Sequence, residues 1–243
     1  MRLLRLPGVY APQGDSQLLL DTLRELGVPP GARALDLFTG TGVVALATAR
    51  LGARRVHAVD SSADAVLTTR RNARALRLPV VARQHDVRNL LGRPAHRFDL
   101  VTANPPYVPC PPPGTLPVTS VPARHRDRVG EHTWRAGPDG RDHLDALCAT
   151  ATRLLAPGGV LLLVHSEICD SRRTLRLLRA GGLRATVAAR RVQRFGPVLH
   201  AQAAWLERRG LIRRGQREEE LVVVRAQLPP TGEPREGACD GRR

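Results

Sequence analysis

The sequence predicts one α/β domain with a mainly parallel sheet, and three observations predict it. Short runs of Val, Leu and Ala alternate along the 243 residues with segments of helical apolar period. That length, with 42% hydrophobic and 25% charged residues, accommodates one core and a short tail and excludes a second large domain. The first apolar run also ends in a glycine turn that opens directly into a helix, as the strand–loop–helix units of parallel sheets do.

Each element can be justified in order. From Gly14, Asp15-Ser16 followed by Leu19, Leu23 and Leu26 reads as a capped helix with an apolar stripe, stopped by Gly27 and the Pro29-Pro30-Gly31 turn. Residues 34–37 form a first strand, Gly40-Thr41-Gly42 the tight turn, and 43–51 an apolar helix closed by Gly52. A second strand covers 56–60. Ser61-x-x-Asp64 then starts a helix as a capping box, and Arg70, Arg71, Arg74 and Arg77 cluster at its far end, where the helix dipole favours cations. Residues 80–84 and 98–103 are the third and fourth strands, and Asn104-Pro105-Pro106-Tyr107 stops the latter because consecutive prolines cannot continue a ladder. The aperiodic stretch 108–141, rich in Pro, Gly, His and Arg, reads as a long functional loop. A helix over 142–155, a buried strand over 159–165, an Arg-faced helix over 170–180 and a strand over 183–192 follow. Residues 197–209 fit strand or helix, but Pro197 at a first helical position and the Leu199, Ala203, Leu206 spacing favour helix. Residues 220–225 are the last strand, and the polar, Pro- and Gly-rich 229–243 reads as a disordered tail.

The formal charge of +16 would ordinarily point to a nucleic-acid partner. All 38 basic residues are arginine, however, and a surface selected only for positive charge has no reason to exclude lysine. The bias resembles that of a GC-rich genome and says little about partners. Cys110, Cys148, Cys169 and Cys239 contain no C-x-x-C pair, which fits a reduced, cytoplasmic setting. The N-terminus lacks a sustained apolar core and no stretch of eighteen apolar residues occurs, so neither secretion nor a membrane span is expected. His125, His132 and His143 match no metal spacing and read as surface residues, so no metal site is expected.

Chemistry begins at the ends of the strands. In open α/β sheets ligands bind beyond the carboxyl ends, where the strand order reverses. Gly40-Thr41-Gly42-Val43-Val44-Ala45 fits the dinucleotide pattern G-x-G-x-x-A, with Asp60 at the distance of a ribose-binding acid. Asp36, just before the turn, opposes that reading because it would repel a pyrophosphate. S-adenosylmethionine has the opposite preference, since it carries a sulfonium, an ammonium and no phosphate. Asp36 would attract its methionine end, Asp60 would accept from the ribose hydroxyls, and Asp86 would take the adenine amine. Each acid alone could be a cap neighbour, a turn former or a strand terminator; three at successive strand ends are harder to dismiss.

Asn104-Pro105-Pro106-Tyr107 supplies the reaction. An amide or aromatic amine is a weak nucleophile because its lone pair is delocalised. The Asn104 side-chain oxygen and the Pro105 carbonyl can both accept from a planar NH2, hold it against a methyl group and stabilise the charge that grows on nitrogen. The prolines stiffen the loop and bring no competing N–H. Tyr107 offers a face for a flat group. A plain turn is the bland alternative, and a dehydrogenase has no use for the tetrapeptide.

These residues resemble the HemK/PrmC-type protein-(glutamine N5) methyltransferases, within the Rossmann-like class I S-adenosylmethionine-dependent superfamily. The resemblance covers about residues 9–228. Val9-Tyr10-Ala11-Pro12-Gln13-Gly14-Asp15-Ser16 is similar to the Tyr-x-Pro-x-x-Asp-Thr segment of the short branch that lacks an N-terminal helical domain. Trp134-Arg135-Ala136-Gly137-Pro138-Asp139-Gly140-Arg141 is similar to that branch's glycine-rich stretch. The resemblance implies a seven-stranded, mainly parallel sheet with helices on both faces. It also implies an N-terminal segment 1–30 contributing to the cofactor site and a methyltransferase domain over 31–228. Ser16, Asp36, Phe38, Gly40, Gly42, Asp60, Asp86, Val87 and Asn104 fall on cofactor positions, and Asn104 to Tyr107 on the substrate amide. The family's substrate is the Gly-Gly-Gln loop of class 1 release factors, and eukaryotic relatives work with a small zinc-binding activator subunit. Two departures stand out. Phe38 replaces the first glycine of the family's loop, so its ring must point away from the methionine pocket, and residues 193–215 are longer than in the short branch.

Two rival readings remain. An amino-group methyltransferase acting on a nucleic-acid base would use the same tetrapeptide on a flipped base, although no segment is large enough for a target-recognition domain and aromatic stacking platforms are few. The dense Arg172–Arg194 stretch reads as a solvated face, with ribosomal RNA contact as the alternative. A non-catalytic module that lost its cofactor has only Phe38 in its favour.

Overall fold

The computed structural model describes residues 3–86, 97–111 and 134–231. Its first half runs α1 (Gly14–Leu26), β1 (Arg33–Leu37), α2 (Val43–Arg50), β2 (Arg55–Asp60), α3 (Ala63–Ala75), β3 (Val80–Gln84) and β4 (Phe98–Ala103). Its second half runs α4 (Asp142–Leu154), β5 (Leu155–Ser166), a 3-10 turn (Glu167–Cys169), α5 (Ser171–Ala180), β6 (Arg184–Arg194), α6 (Pro197–Arg208) and β7 (Glu218–Gln227). The seven strands form one sheet in the order β3-β2-β1-β4-β5-β7-β6. All neighbouring pairs from β3 through β5 are parallel, and β7 lies antiparallel between β5 and β6. This is a Rossmann-like α/β arrangement with one antiparallel strand.

The centre of the sheet is covered on both faces, which is why its strands read as continuous apolar runs. Leu37, Val101, Leu163 and Val223 are all at most 1% exposed. Helix α1 adds Leu18, Leu19, Leu20 and Leu23 to the same core, and α4 adds Leu144 and Leu147. A second apolar cluster, with Phe195, Leu199, Trp205, Leu206 and Ile212, anchors α6.

Several local expectations are corrected. Asp15 and Ser16 do not cap α1: they lie in its first turn, and Gln13 precedes the helix without a side-chain cap. The cap of α3 is Ser62 rather than Ser61, its hydroxyl accepting from the Ala65 amide, because Asp60 Oδ1 takes the Ser62 amide and carries the turn one residue further. Asp170 stands outside α5 as its N-cap at φ 58° and accepts from the Arg173 amide. The last three strands are longer than periodicity implies: β6 and β7 pair from Arg184 and Gln227 to Arg194 and Glu218, β5 pairs with β7 from Val160 to Ser166, and its first residue, Leu155, pairs with Phe98. Residues 197–208 are helical, as proline placement favours. The tail from residue 232 and most of the 108–141 loop lie outside the described residues, as do His125, His132 and Cys239.

Candidate active site

Parallel pairing brings the chemistry together. Leu37 is in register with Val59 on one side and Ala103 on the other, so Phe38 emerges between Asp60 and Asn104 at three adjacent carboxyl ends. The reversal of strand order falls between β1 and β4, where such sheets bind ligands. A pocket opens there, walled by the glycine turn, Asp60, Asn104 to Val108, the start of α1 and Trp134.

Three carboxylates, Asp15, Asp36 and Asp60, stand on this wall, and no Arg or His does among the described residues. In a chain of net charge +16 this is an acidic site. It disfavours phosphate and suits a cation. Asp36 is 2% exposed, with Oδ1 accepting from Thr102 at 2.6 Å and Oδ2 from Thr39 at 2.7 Å. Burial pushes its carboxyl up to about 6, against the downward pull of Thr102, Thr39 and the Ala45 amide. Asp60 is half-buried, its Oδ2 accepting from the Gly40 amide and its Oδ1 from the Ser62 amide, both at 2.9 Å.

The two turn glycines do different work. Gly40, at φ 53°, has open space where a Cβ would stand and so leaves room for a ligand. Gly42, at φ 81°, is absent from the pocket wall; a Cβ there would meet the Thr69 side chain of α3 at 2.8 Å, so it serves helix packing. Phe38 lies on the wall in the left-handed region, at φ 58°, which costs an L side chain about 1 kcal/mol. Its ring is held edge-on against His143, with centroids 5.5 Å apart and planes at 73°. His143 is therefore half-buried packing rather than the surface residue expected. Asp86 follows β3 but is absent from the pocket wall, and Val87 lies outside the described residues.

The acceptor half is organised by a residue that sequence reasoning passed over. Asp15 is 4% exposed; its Oδ1 accepts from the Ser16 hydroxyl at 3.2 Å and its Oδ2 from the Tyr107 hydroxyl at 3.1 Å. A carboxylate only accepts, so the Ser16 hydroxyl must donate to it and is left to accept. It accepts from Asn104 Nδ2 at 3.3 Å. With its NH2 committed to Ser16, Asn104, which stands on the pocket wall, has Oδ1 left as its acceptor. The polarity of the site is thus set from α1. Pro105 is buried and Pro106 half-buried, and Tyr107 is 8% exposed. Burial, then Asp15 and Glu219, push the Tyr107 phenol well above its ordinary value, so it stays a donor.

The loop is braced from behind. Val108 N donates to Trp134 O at 3.0 Å and Cys110 N to Gly137 O at 2.9 Å. Gly140, at φ 75°, approaches so closely that a Cβ would strike the Tyr107 carbonyl and Cys169 Sγ. Gly140→Ala is expected to cost at least about 1 kcal/mol and to lower turnover by shifting Tyr107. Thermal unfolding and steady-state rates check this, and an unchanged melting point would contradict it.

The Arg172–Arg194 stretch is partly neutralised within the molecule. Arg173 pairs with Asp139 and Asp145, Arg176 with Asp170, Arg190 with Glu167 and Glu220, and Arg191 with Asp21. Among the described residues no His, Cys, Asp and Glu cluster could hold a metal ion, and no helix is long and apolar enough to cross a membrane. Cys110, Cys148 and Cys169 are free and buried.

Comparisons with known proteins agree with this geometry. The family model of the methyltransferase small domain matches residues 1–109, which hold the glycine turn, Asp60 and the Asn-Pro-Pro-Tyr loop. A release factor glutamine methyltransferase of Streptomyces coelicolor is 36% identical over 166 residues, which are 66% of this chain and 56% of that protein. The chain thus spans little more than half the length of that relative. The human methyltransferase HEMK2 is 29% identical over 192 residues, covering 75% of this chain and 83% of its own. Among solved structures, the Mtq2–Trm112 complex of E. cuniculi, described as responsible for methylating the translation termination factor eRF1, superposes with a TM-score of 0.59. It is 19% identical and covers 91% of this chain and 99% of that one, a likeness of fold. Sequence, sheet order and the braced Asn-Pro-Pro-Tyr loop converge: the chain carries the methyltransferase small domain signature over residues 1–109 and is similar over about two thirds of its length to release factor glutamine methyltransferases.

Proposed function

We propose that this protein transfers a methyl group from S-adenosylmethionine to the side-chain amide nitrogen of a protein glutamine, that of the Gly-Gly-Gln loop of a class 1 release factor. One observation carries the reading: Ser16 holds the Asn104 NH2 and leaves Oδ1 as its acceptor on the wall of an acidic pocket that suits a cation. The cofactor supplies an electrophilic methyl group. Asp60 and Gly40 suit its ribose, and Asp36 provides negative potential toward its methionine end. Asn104 Oδ1 and the Pro105 carbonyl hold the amide NH2 and take up the charge developing on it. The names of the S. coelicolor relative and of the Mtq2 complex support this acceptor, and the latter also supports a small activator subunit as a partner. Ribosomal RNA is the weaker partner, since ion pairs already engage Arg173, Arg176, Arg190 and Arg191.

The test is transfer of labelled methyl to release factor, to a version with the loop glutamine replaced, and to total RNA and DNA, with and without candidate activator. Label on the intact factor alone is expected; label on nucleic acid alone would transfer the reading to a base amine.

Cofactor binding should also depend on pH. Asp36 is ionised above about 6 and takes up a proton below it, and a cationic ligand competes with that proton. Affinity for S-adenosylmethionine is therefore expected to fall as pH drops from 7.5 to 5, by up to about tenfold per unit below the Asp36 value. Calorimetric titration across that range checks it, and a flat dissociation constant would mean that Asp36 serves only Thr39 and Thr102.

A further inference from the structure

Behind Tyr107 lies a second cavity, of about 310 Å³, which shares Tyr10, Asp15, Tyr107 and Trp134 with the cofactor pocket. Its far side is built by Gln193 from β6, then Pro197 and Leu199 opening α6. Glu219 of β7 closes it. This chain has only two tyrosines and two tryptophans, yet both tyrosines and one tryptophan stand on this wall.

Glu219 is 3% exposed. Its Oε1 accepts from Gln193 Nε2 at 3.0 Å, while Oε2 is buried without a hydrogen-bond partner. Desolvation raises its pKa, against the pull of the Gln193 amide and of the nearby Ser166 hydroxyl, which makes no hydrogen bond of acceptable geometry to Oε2. A buried carboxylate oxygen without a donor is costly, and a charged donor is what relieves it best. Asp15 has no such vacancy, since Ser16 and Tyr107 occupy its two oxygens. The cation on the described wall, Arg5, turns its Nη1 onto the Val9 carbonyl at 3.0 Å. Aromatic faces beside an acid form the environment that attracts organic cations.

We propose that this cavity is a subsite for a cationic nitrogen of the methyl acceptor, an ammonium or a guanidinium, received by Glu219 between the faces of Tyr10 and Trp134. The inference rests on the acceptor reading above for what the cavity serves. It assigns specificity to Glu219 and to the 193–199 arm, which hold the substrate beside the reacting nitrogen without touching it.

The test reads tryptophan fluorescence of the full chain during titration with methylguanidinium, with n-butylammonium, and with N-methylurea as a neutral control. Saturable binding of one cation at least about tenfold tighter than the control is expected, and the better cation identifies the source. Glu219→Gln, which keeps the shape, should abolish that preference while leaving S-adenosylmethionine affinity unchanged, and Tyr10→Leu should weaken it severalfold. Cations binding no better than the urea, or equally well to Glu219→Gln, would overturn the subsite. Methylation of the release-factor loop is scored separately. Loop methylation without cation preference removes only the subsite, whereas cation preference without loop methylation keeps the subsite and removes that acceptor.

Discussion

Asn104→Ala is expected to lower kcat by about 10²-fold or more while the dissociation constant of S-adenosylmethionine stays within a few-fold of wild type. The asymmetry follows from what the side chain has left to offer. Its NH2 is held by Ser16 at 3.3 Å, so the group that alanine removes is the Oδ1 left as acceptor. In the proposed transfer, positive charge develops on nitrogen only as the methyl arrives, so a loss of Oδ1 belongs to the transition state. Asn104→Asp is the informative companion. It keeps an oxygen at that place but cannot donate to Ser16, so turnover between wild type and Asn104→Ala is expected. Rapid-quench single-turnover rates with saturating cofactor, beside calorimetric binding, separate the two effects. Equal losses in both would reduce Asn104 to a wall of the pocket.

Much of this site was legible because its signals are local. The glycine turn, the acids at strand ends and the proline-stiffened loop each occupy a few consecutive residues, and parallel pairing puts strand ends side by side without further information. The sheet followed from apolar runs short enough to be strands. What escaped was set by distant partners. Asp15-Ser16 before a leucine stripe carries every sign of a helix cap, yet the partner of Asp15 is Tyr107, 92 positions away. Phe38 reads as an obstacle to the cofactor; its ring packs edge-on against His143, a contact no local pattern signals, while the residue still lines the pocket. Glu219 sits within a run of three glutamates that reads as a solvated face, and only strand alternation turns it inward while Glu218 stays exposed. The pattern pairs Gly42 with Gly40 as a cofactor contact, whereas the side chain beside it is that of Thr69.

The net charge illustrates the same division. Arginines dominate the composition, but internal pairing with Asp21, Asp139, Asp145, Asp170, Glu167 and Glu220 uses a share of them to fasten α1, α4, α5 and the outer strands together. Exposed pairs of this kind contribute little each. The acids at the pocket are fewer, and those are the charges that select a ligand.

Asp15 offers the sharpest test, because changing one atom of it should reverse the site's polarity without emptying it. In the native arrangement the Ser16 hydroxyl donates to Asp15 and Asn104 Nδ2 donates to Ser16. Asp15→Asn leaves one acceptor oxygen for the Ser16 amide, the Ser16 hydroxyl and the Tyr107 hydroxyl; with its NH2 on the Ser16 side it donates to Ser16 Oγ, at the expense of the Ser16 amide bond, and frees the hydroxyl to donate to Asn104 Oδ1. Asn104 would then present its NH2 to the substrate NH2, donor against donor. A loss of about 10- to 10²-fold in kcat is expected, the size associated with one misdirected polar group, with cofactor affinity nearly unchanged. Two variants distinguish this from general damage. Tyr107→Phe removes the hydrogen bond to Asp15 Oδ2 while leaving both Ser16 bonds to Oδ1 intact, so it should cost much less turnover than Asp15→Asn. Ser16→Ala removes the relay altogether, leaves Asn104 free to rotate, and should give an intermediate rate. If Asp15→Asn retains turnover within about threefold of wild type, the orientation of Asn104 is set by the proline loop alone, and helix α1 contributes only packing to the acceptor site.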